Sequence, residues 1–146
     1  MELFIASDRH GWIMKNEIVK HIKETNHTFT VSDLGPKHEG ILDAISYAFF
    51  LAAVVPDDPR NFGVFISKTG NEVLIPMNRR KHVRACLCIS KEMAKISKEE
   101  LNSNIIVLPS DVTTIDNPIE IIDTWLETKY DEDNLDNMRK NMFMDM

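Results

Sequence analysis

Residues 62–72 read Phe-Gly-Val-Phe-Ile-Ser-Lys-Thr-Gly-Asn-Glu, an apolar run that ends in a polar loop containing a glycine. A continuous apolar run of this length is typical of a strand buried on both faces in the centre of a parallel sheet. The residues after the loop have helical spacing, so the segment predicts a strand, a bend and a short helix. Ligands of open parallel sheets bind outside the carboxyl ends of the strands, so we expect any site to include this loop.

On both sides of this segment, short apolar runs alternate with longer segments of helical period. The alternation predicts parallel strands joined by crossover helices, and hence a flavodoxin-like three-layer α/β/α domain with a five-stranded parallel sheet, residues 1–146 forming a single domain. The predicted strands are Leu3–Ser7, Thr28–Val31, Phe62–Ile66, Val83–Ile89 and Asn104–Leu108. The predicted helices run from Trp12 to near Asn26, from Ile41 to about Val54, from Val73 to about Asn78, from Lys91 to Leu101 and from Ile119 to about Thr128.

The composition excludes several classes of protein. With 146 residues, 43% of them hydrophobic, the chain is long enough to build one globular core without disulfides or a structural metal. A net charge of −6 argues against nucleic acid as a partner. No apolar run approaches the roughly 20 residues of a membrane span, so we expect no membrane association and a cytoplasmic location. We interpret Cys86 and Cys88 as reduced packing residues.

Two segments predict contact with another subunit. The helix predicted from Ile41 to about Val54 is apolar on most sides, so we expect it to be buried against both the sheet and a partner subunit. In the tail, Leu135, Met138 and Met142 have the spacing of a helix stripe, which favours packing on a neighbouring subunit over a cofactor site. We therefore expect at least a dimer.

The loops 8–11 and 67–72, after the first and third predicted strands, are both polar and contain a glycine. Gly70 allows the backbone to bend so that successive N–H groups point inward, and the next helix offers its positive end to an anion or a developing oxyanion. This arrangement suits a phosphorylated or enolising substrate. The same pattern also occurs in α/β proteins without any site, so the residues alone leave both interpretations open.

The motifs, in order and spacing, resemble one known family. Residues 5–11, Ile-Ala-Ser-Asp-Arg-His-Gly, followed by Lys-Asn-Glu-Ile at 15–18, resemble the opening Ser-Asp-His-Ala-Gly…Leu-Lys-Glu motif of the ribose-5-phosphate isomerase B and galactose-6-phosphate isomerase subunit family. Residues 63–70 resemble its Gly-Ile-Leu-Ile-Cys-Gly-Thr-Gly loop. The segments 31–35, 83–88 and 99–106 are also similar, so the resemblance covers nearly the whole chain.

This resemblance implies an enzyme that interconverts aldose and ketose sugar phosphates, either ribose 5-phosphate and ribulose 5-phosphate or galactose 6-phosphate and tagatose 6-phosphate. In that reaction a base removes the C2 proton, an enediol(ate) forms, and the proton returns at C1. The resemblance implies no metal and no organic cofactor. It also implies a homodimer or homotetramer whose sites lie between two subunits, with both loops contributing to each site.

The chain departs from the family pattern at several positions. Ser67 stands where most members carry a cysteine base, and Glu72 falls one residue short of a glutamate that some members place in this loop. The family's acid–base His-Asn pair corresponds to Glu100-Leu101, and its C-terminal phosphate-binding segment corresponds to residues 133–138. Two hypotheses follow: an isomerase with a rearranged site, or a catalytically degenerate homologue that binds a sugar phosphate or pairs with a catalytic paralogue.

We predict Glu72, His10 and Ser67 as the catalytic residues. Glu72 is the candidate for the proton-abstracting base, and we expect burial to raise its pKa toward the working range, although the helix dipole alone also favours an acidic residue in a first turn. His10 is the candidate proton shuttle for ring opening. The Ser67 hydroxyl is too weak an acid to ionise by itself, so it cannot serve as a base without a partner that takes its proton.

The predicted substrate-binding residues share a position in one of the two loops or in the tail: Asp8, Arg9, Lys68, Thr69, Gly70, Asn71 and Arg139. Asp8 contacts the sugar or caps the following helix. Arg9 holds the phosphate or is simply solvated, while Lys68 stabilises an enediolate or fills the pocket and excludes substrate. Arg139 would have to reach the site of a neighbouring subunit. A basic cluster at residues 79–81, together with Arg84, is a further candidate for the phosphate, with a solvated turn as its alternative.

Overall fold

The computed structural model describes residues 1–38, 43–111 and 115–144, in which five strands alternate with helices. The strands are Glu2–Ser7 (β1), Thr30–Gly35 (β2), Asn61–Ser67 (β3), Ala85–Leu87 (β4) and Ile105–Pro109 (β5). The helices are Trp12–Thr25 (α1), Ala44–Val54 (α2), Asn71–Asn78 (α3), Lys91–Glu99 (α4), Pro118–Glu127 (α5) and Leu135–Met144 (α6).

The strands form one parallel sheet in the order β2-β1-β3-β5-β4. Helices α1, α4 and α5 contribute to the hydrophobic core on one face, and α2 and α3 to the core on the other. The predicted three-layer α/β/α class is therefore confirmed. The flavodoxin order 2-1-3-4-5 is followed as far as β3, after which β5 rather than β4 lies next to β3.

Most of the described helices start where a polar side chain caps the first free backbone N–H groups. Asp43 accepts a hydrogen bond from Ser46 N at the start of α2, and Ser90 accepts one from Met93 N at the start of α4. Asn117 caps α5, whose first residue is a proline, the residue best tolerated there because its missing N–H would have no helical partner.

The sequence places β3 and β5 closely and the two outer strands less well. The edge strand β2 starts two residues later than predicted and continues to Gly35, because its polar residues Ser32 and Asp33 also pair with β1. The other edge strand, β4, keeps three of the seven predicted residues, since its ladder to β5 covers only Ala85–Leu87. The predicted start of the second helix, at Ile41, lies outside the described residues.

The two cysteines behave as predicted for packing residues. Both are free thiols, Cys88 being buried and Cys86 half-buried. Burial raises the pKa of the Cys86 thiol to about 11 and that of Cys88 to about 12, so neither forms a reactive thiolate near neutral pH.

Two apolar surfaces remain exposed on this chain. On α2, Ile45, Phe49 and Phe50 are about half exposed or more, while the opposite side of the helix packs on the sheet. On α6, the predicted stripe of Leu135, Met138 and Met142 is exposed, and the helix is held through Asn137 Nδ2, which donates to Glu99 O at 3.1 Å. Within the described ranges, no helix has both the length and the apolar character needed to cross a bilayer.

Candidate functional site

The two predicted loops adjoin because β1 and β3 are neighbours in the sheet and Ser7 lies opposite Ile66 at their carboxyl ends. Gly11, which precedes α1, fits closely against β3. A Cβ atom on Gly11 would lie 2.7 Å from Ile66 O, so no side chain fits there without displacing the strand. The close packing of Gly11 against Ile66 therefore brings loops 8–11 and 67–72 side by side.

The Asp8 carboxylate holds these two loops together. It is 4% exposed, and its Oδ1 accepts hydrogen bonds from His10 N at 2.8 Å and Gly11 N at 2.7 Å. Its Oδ2 accepts one from Lys68 N at 3.0 Å, across the gap between the loops. Asp8 therefore does not cap the first turn of α1, whose N-cap is Gly11 without a side-chain cap, but ties the two loops together through their backbone N–H groups. Its contact with the sugar stays a prediction.

Ser67 and Gly70 set the shape of the second loop. Ser67 is fully buried, and its Oγ accepts a hydrogen bond from Gly70 N at 3.0 Å. Gly70 has φ +83°, a conformation that favours glycine, and a Cβ there would lie 2.4 Å from Leu87 Cδ1. Ser67 thus closes the turn that leads from β3 into α3.

Glu72 lies in the first turn of α3 and bends back over the loop. Its Oε2 accepts a hydrogen bond from Thr69 Oγ1, and its Oε1 accepts one from Thr69 N at 3.4 Å. Partial burial acts to raise the pKa of Glu72, but the hydrogen bonds from Thr69, the backbone and Ser67 together lower it below its ordinary value. The expectation of a raised pKa is therefore wrong. The Glu72 carboxylate is ionised at neutral pH, as a general base must be.

Four further predicted residues line the same edge with exposed side chains: Arg9, His10, Lys68 and Asn71. Arg9 Nε lies 3.5 Å from His10 Nε2, so a cation and an imidazole are adjacent at the mouth of the first loop. Lys68 is exposed, and its backbone N–H makes the contact to Asp8 between the loops. Both roles of its side chain, stabilising an enediolate or filling the pocket, stay predictions.

Arg139 is not brought to this edge within one chain. It lies on α6, is 76% exposed and pairs with Asp136 at 3.5 Å. Helix α6 sits at the end of α4, where Lys140 Nζ lies 3.5 Å from Glu100 Oε2, and this end of α4 leads into the amino end of β5. The basic cluster at 79–81 likewise follows the far end of α3. Only a neighbouring chain could bring Arg139 to the loops.

Ser110 and Asp111 border the site, and the sequence reasoning missed them. Ser110 N donates to Ser67 O at 2.8 Å, and Asp111 N donates to Lys68 O at 3.0 Å. Among the residues that the structure describes, Ser110 Oγ is a buried polar atom without a hydrogen-bond partner. Both residues follow the predicted fifth strand, and that position was the one sign in the sequence that they could border a site. The position of this strand beside β3 depends on a pairing that the sequence pattern does not reveal.

The family model described as Ribose/Galactose Isomerase matches residues 3–142. Among curated proteins, the probable ribose-5-phosphate isomerase B of Mycoplasma genitalium is 32% identical over 131 residues, which cover 88% of this chain and 85% of the relative. The corresponding protein of Mycoplasma pneumoniae is 29% identical over 130 residues, covering 88% and 84%.

Solved structures give the same result. Ribose-5-phosphate isomerase B from Mycoplasma genitalium with bound ribulose-5-phosphate matches with a TM-score of 0.88 and 30% identity, over 99% of this chain and 93% of that one. The ribose 5-phosphate isomerase of Thermotoga maritima matches with a TM-score of 0.88 and 27% identity, over 99% and 97%. The family model spans nearly all of the chain, and both solved structures superpose on 99% of it. The chain therefore belongs to the ribose/galactose isomerase family.

Proposed function

We propose that this protein is an aldose–ketose isomerase of a phosphorylated sugar, either ribose 5-phosphate or galactose 6-phosphate. The observation that carries the proposal is the ionised Glu72 carboxylate, which lies over the glycine loop beside loop 8–11. A relative of the same fold, 30% identical to this chain, has been solved with ribulose-5-phosphate bound. No metal or organic cofactor is needed, because the reaction moves a proton between neighbouring carbons.

In this mechanism the Glu72 carboxylate releases the hydrogen bond from Thr69 and removes the C2 proton of the open-chain sugar. Negative charge then develops on the enediolate oxygens, where the Lys68 ammonium and the first-turn N–H groups of α3, starting at Asn71, stabilise it. The proton of the C2 hydroxyl passes to the C1 oxygen, and Glu72 returns the carbon-bound proton at C1, which leaves the ketone at C2. His10 moves the proton that ring opening requires, and the Thr69 hydroxyl, once released, donates to a sugar oxygen.

The phosphate contacts come from both sides of a subunit interface in this proposal. Arg9, beside His10, contributes a guanidinium from the same chain, and Arg139 contributes one from a neighbouring copy. We propose a homodimer or homotetramer because Phe49 and Phe50 on α2 and the stripe on α6 are exposed apolar surfaces of the kind that subunits cover. The cytoplasmic location stays a prediction from the sequence.

A second candidate is a homologue that binds a sugar phosphate without turning it over, or that pairs with a catalytic paralogue. The hydrogen bonds of two residues favour it. Both carboxylate oxygens of Asp8 accept hydrogen bonds from backbone N–H groups, and Ser67 Oγ accepts one from Gly70 N. These groups are therefore already engaged before a sugar binds. The lowered pKa of Glu72 also weakens this carboxylate as a base, since basicity falls with the pKa.

Proton exchange separates the two candidates. The full chain is incubated in deuterated water with ribose 5-phosphate and, separately, with galactose 6-phosphate, and NMR follows deuterium at C2 and the appearance of ketose. We expect exchange with one of the two sugars, and a loss of at least 100-fold in Glu72→Gln.

Glu92→Gln is the matched control, because Glu92 is also an exposed first-turn glutamate, on α4, and loses the same helix-dipole interaction. Its exchange rate should stay unchanged. If no exchange occurs at high protein concentration and calorimetry still detects sugar-phosphate binding, the isomerase proposal is refuted and the non-catalytic binding protein takes its place.

A further inference from the structure

A third chain segment lies beside the two loops of the candidate site. In the sheet, β5 is the neighbour of β3 on the side away from β1. The carboxyl end of β5 leads into Ser110 and Asp111, and Asp111 N donates a hydrogen bond to Lys68 O at 3.0 Å. On its other side, Lys68 N donates to Asp8 Oδ2 at 3.0 Å. The main chain of Lys68 is therefore hydrogen-bonded to both neighbouring segments, and Asp111 has a fixed place at the edge of the site.

The carboxylate of Asp111 differs from the two carboxylates already described at this edge of the sheet. Both oxygens of Asp8 accept hydrogen bonds from backbone N–H groups, and both oxygens of Glu72 accept hydrogen bonds from Thr69. Asp111 is exposed, and across residues 1–38, 43–111 and 115–144 its carboxylate forms no hydrogen bond and no ion pair. Its two oxygens are therefore available to a ligand.

The preceding residue carries a second polar group that the fold leaves without a partner. Ser110 N donates to Ser67 O at 2.8 Å, but Ser110 Oγ is buried and forms no hydrogen bond with the described part of the chain. Buried hydroxyl groups in folded proteins nearly always have a hydrogen-bond partner. An unpaired hydroxyl and an unpaired carboxylate on consecutive residues therefore favour a ligand with hydroxyl groups at this strand end.

The charges along this edge of the sheet change from positive to negative. Arg9 follows β1, Lys68 follows β3 and Asp111 follows β5. Adjacent strands are about 4.8 Å apart, so the first and last of these segments are about 10 Å apart, a span that an extended five- or six-carbon sugar phosphate matches. A guanidinium attracts a phosphate, whereas a carboxylate repels it and accepts hydrogen bonds from hydroxyl groups. The charges therefore favour the orientation in which the phosphate points toward Arg9.

We propose that Asp111 is a specificity-determining residue of this site: its carboxylate accepts a hydrogen bond from the hydroxyl at the carbonyl end of the sugar and keeps the phosphate on the Arg9 side. The inference rests on the proposed function. The carbonyl end of an aldose carries a hydroxyl at C2 and that of the ketose carries one at C1, so a donor is present in both sugars. Lys68, whose main chain is hydrogen-bonded to Asp111, faces the other oxygen of the pair as negative charge develops on it.

Calorimetry on the full chain carrying Glu72→Gln tests the proposal, because a variant without the base binds the sugar without converting it. The ligands are ribose 5-phosphate, galactose 6-phosphate and inorganic phosphate. Adding Asp111→Asn should weaken binding of the preferred sugar phosphate about tenfold, since a charge-assisted hydrogen bond is lost. The same change should tighten binding of inorganic phosphate by no more than about twofold, because water and salt screen the repulsion at this separation.

Asp57→Asn is the matched control, because Asp57 is an exposed aspartate before the amino end of β3, and it should change neither affinity. Unchanged binding of the sugar phosphate in Asp111→Asn would overturn the inference. So would much tighter binding of both ligands, which would place the phosphate beside Asp111. The proton-exchange experiment judges the isomerase separately: weaker binding in Asp111→Asn without any exchange in the parent chain would keep the Asp111 contact and refute the isomerase. If neither sugar phosphate binds, the proposed function and this inference both fail.

Discussion

Lys98 offers a quantitative test of how burial acts on a charge in this fold. Its side chain lies within the core on the α1, α4 and α5 side, and the residue is 5% exposed. The Nζ atom lies 4.4 Å from the ring centroids of both Phe62 and Trp125 and donates to Trp125 O at 3.1 Å. Burial lowers the pKa of this ammonium from 10.5 to about 8.

A shift of that size corresponds to roughly 3 kcal/mol, at about 1.4 kcal/mol for each pKa unit. Between pH 8 and 10.5 the unfolded chain binds more protons at this position than the folded chain, so stability rises with pH across that window. Below pH 8 the folded state bears the full cost. Lys98→Met removes the charge at similar length, and its stability relative to the parent protein should fall by about 3 kcal/mol from pH 7 to pH 10.5.

Urea denaturation at pH 7, 8.5 and 10.5 measures this difference, with Lys95→Met, on the exposed side of α4, as the control. The Lys95→Met difference should not depend on pH. The reasoning is refuted if the Lys98→Met difference is also constant, because Lys98 would then keep its ordinary pKa. In that case the two aromatic faces, at about 2 kcal/mol each for a desolvated cation, would be offsetting the burial.

Three further predictions concern other parts of the molecule. Lys15→Met should destabilise the fold by about 3–5 kcal/mol in urea denaturation, because it leaves the half-buried carboxylate of Asp33 without the ammonium 2.7 Å away; an additional Asp33→Asn change should recover part of the loss. Gly70→Ala should cost about 1–3 kcal/mol and reduce sugar-phosphate binding in calorimetry, since its φ is +83° and the new Cβ would collide with Leu87. Phe49→Glu should shift the sedimentation coefficient toward the monomer if α2 forms the subunit interface, and an unchanged value would remove α2 from that interface.

The sequence predicted the layers of the fold because those depend on local patterns. Val64, Phe65 and Ile66 of β3 are fully buried, and the residues Ile105–Leu108 of β5 are too, so both strands stand out from their flanks. The order of β4 and β5 in the sheet does not follow from a local pattern. Both are short apolar runs, and only the pairing of Gly63 with Ile105, some forty residues apart, shows which one lies beside β3.

The same division applies to the candidate site. The positions of loops 8–11 and 67–72 follow from parallel strand ends, and the sequence predicted them together. The lowered pKa of Glu72 was not predictable, because it depends on the Thr69 hydroxyl turning toward the carboxylate. Nor does a pattern show that Asp8 accepts hydrogen bonds from both loops, since the N–H group of Lys68 is sixty residues away along the chain.

The strand order also has a consequence for biosynthesis. In the described sheet β4 pairs with β5 alone, and β5 is the strand that joins β4 to β3. During translation, at about 5–20 residues per second, β4 therefore emerges from the ribosome before the strand that holds it, and the edge of β3 stays open for that interval. A nascent chain that stalls before residue 105 would present this apolar edge to chaperones or to other nascent chains, and release of residues 105–109 would close it.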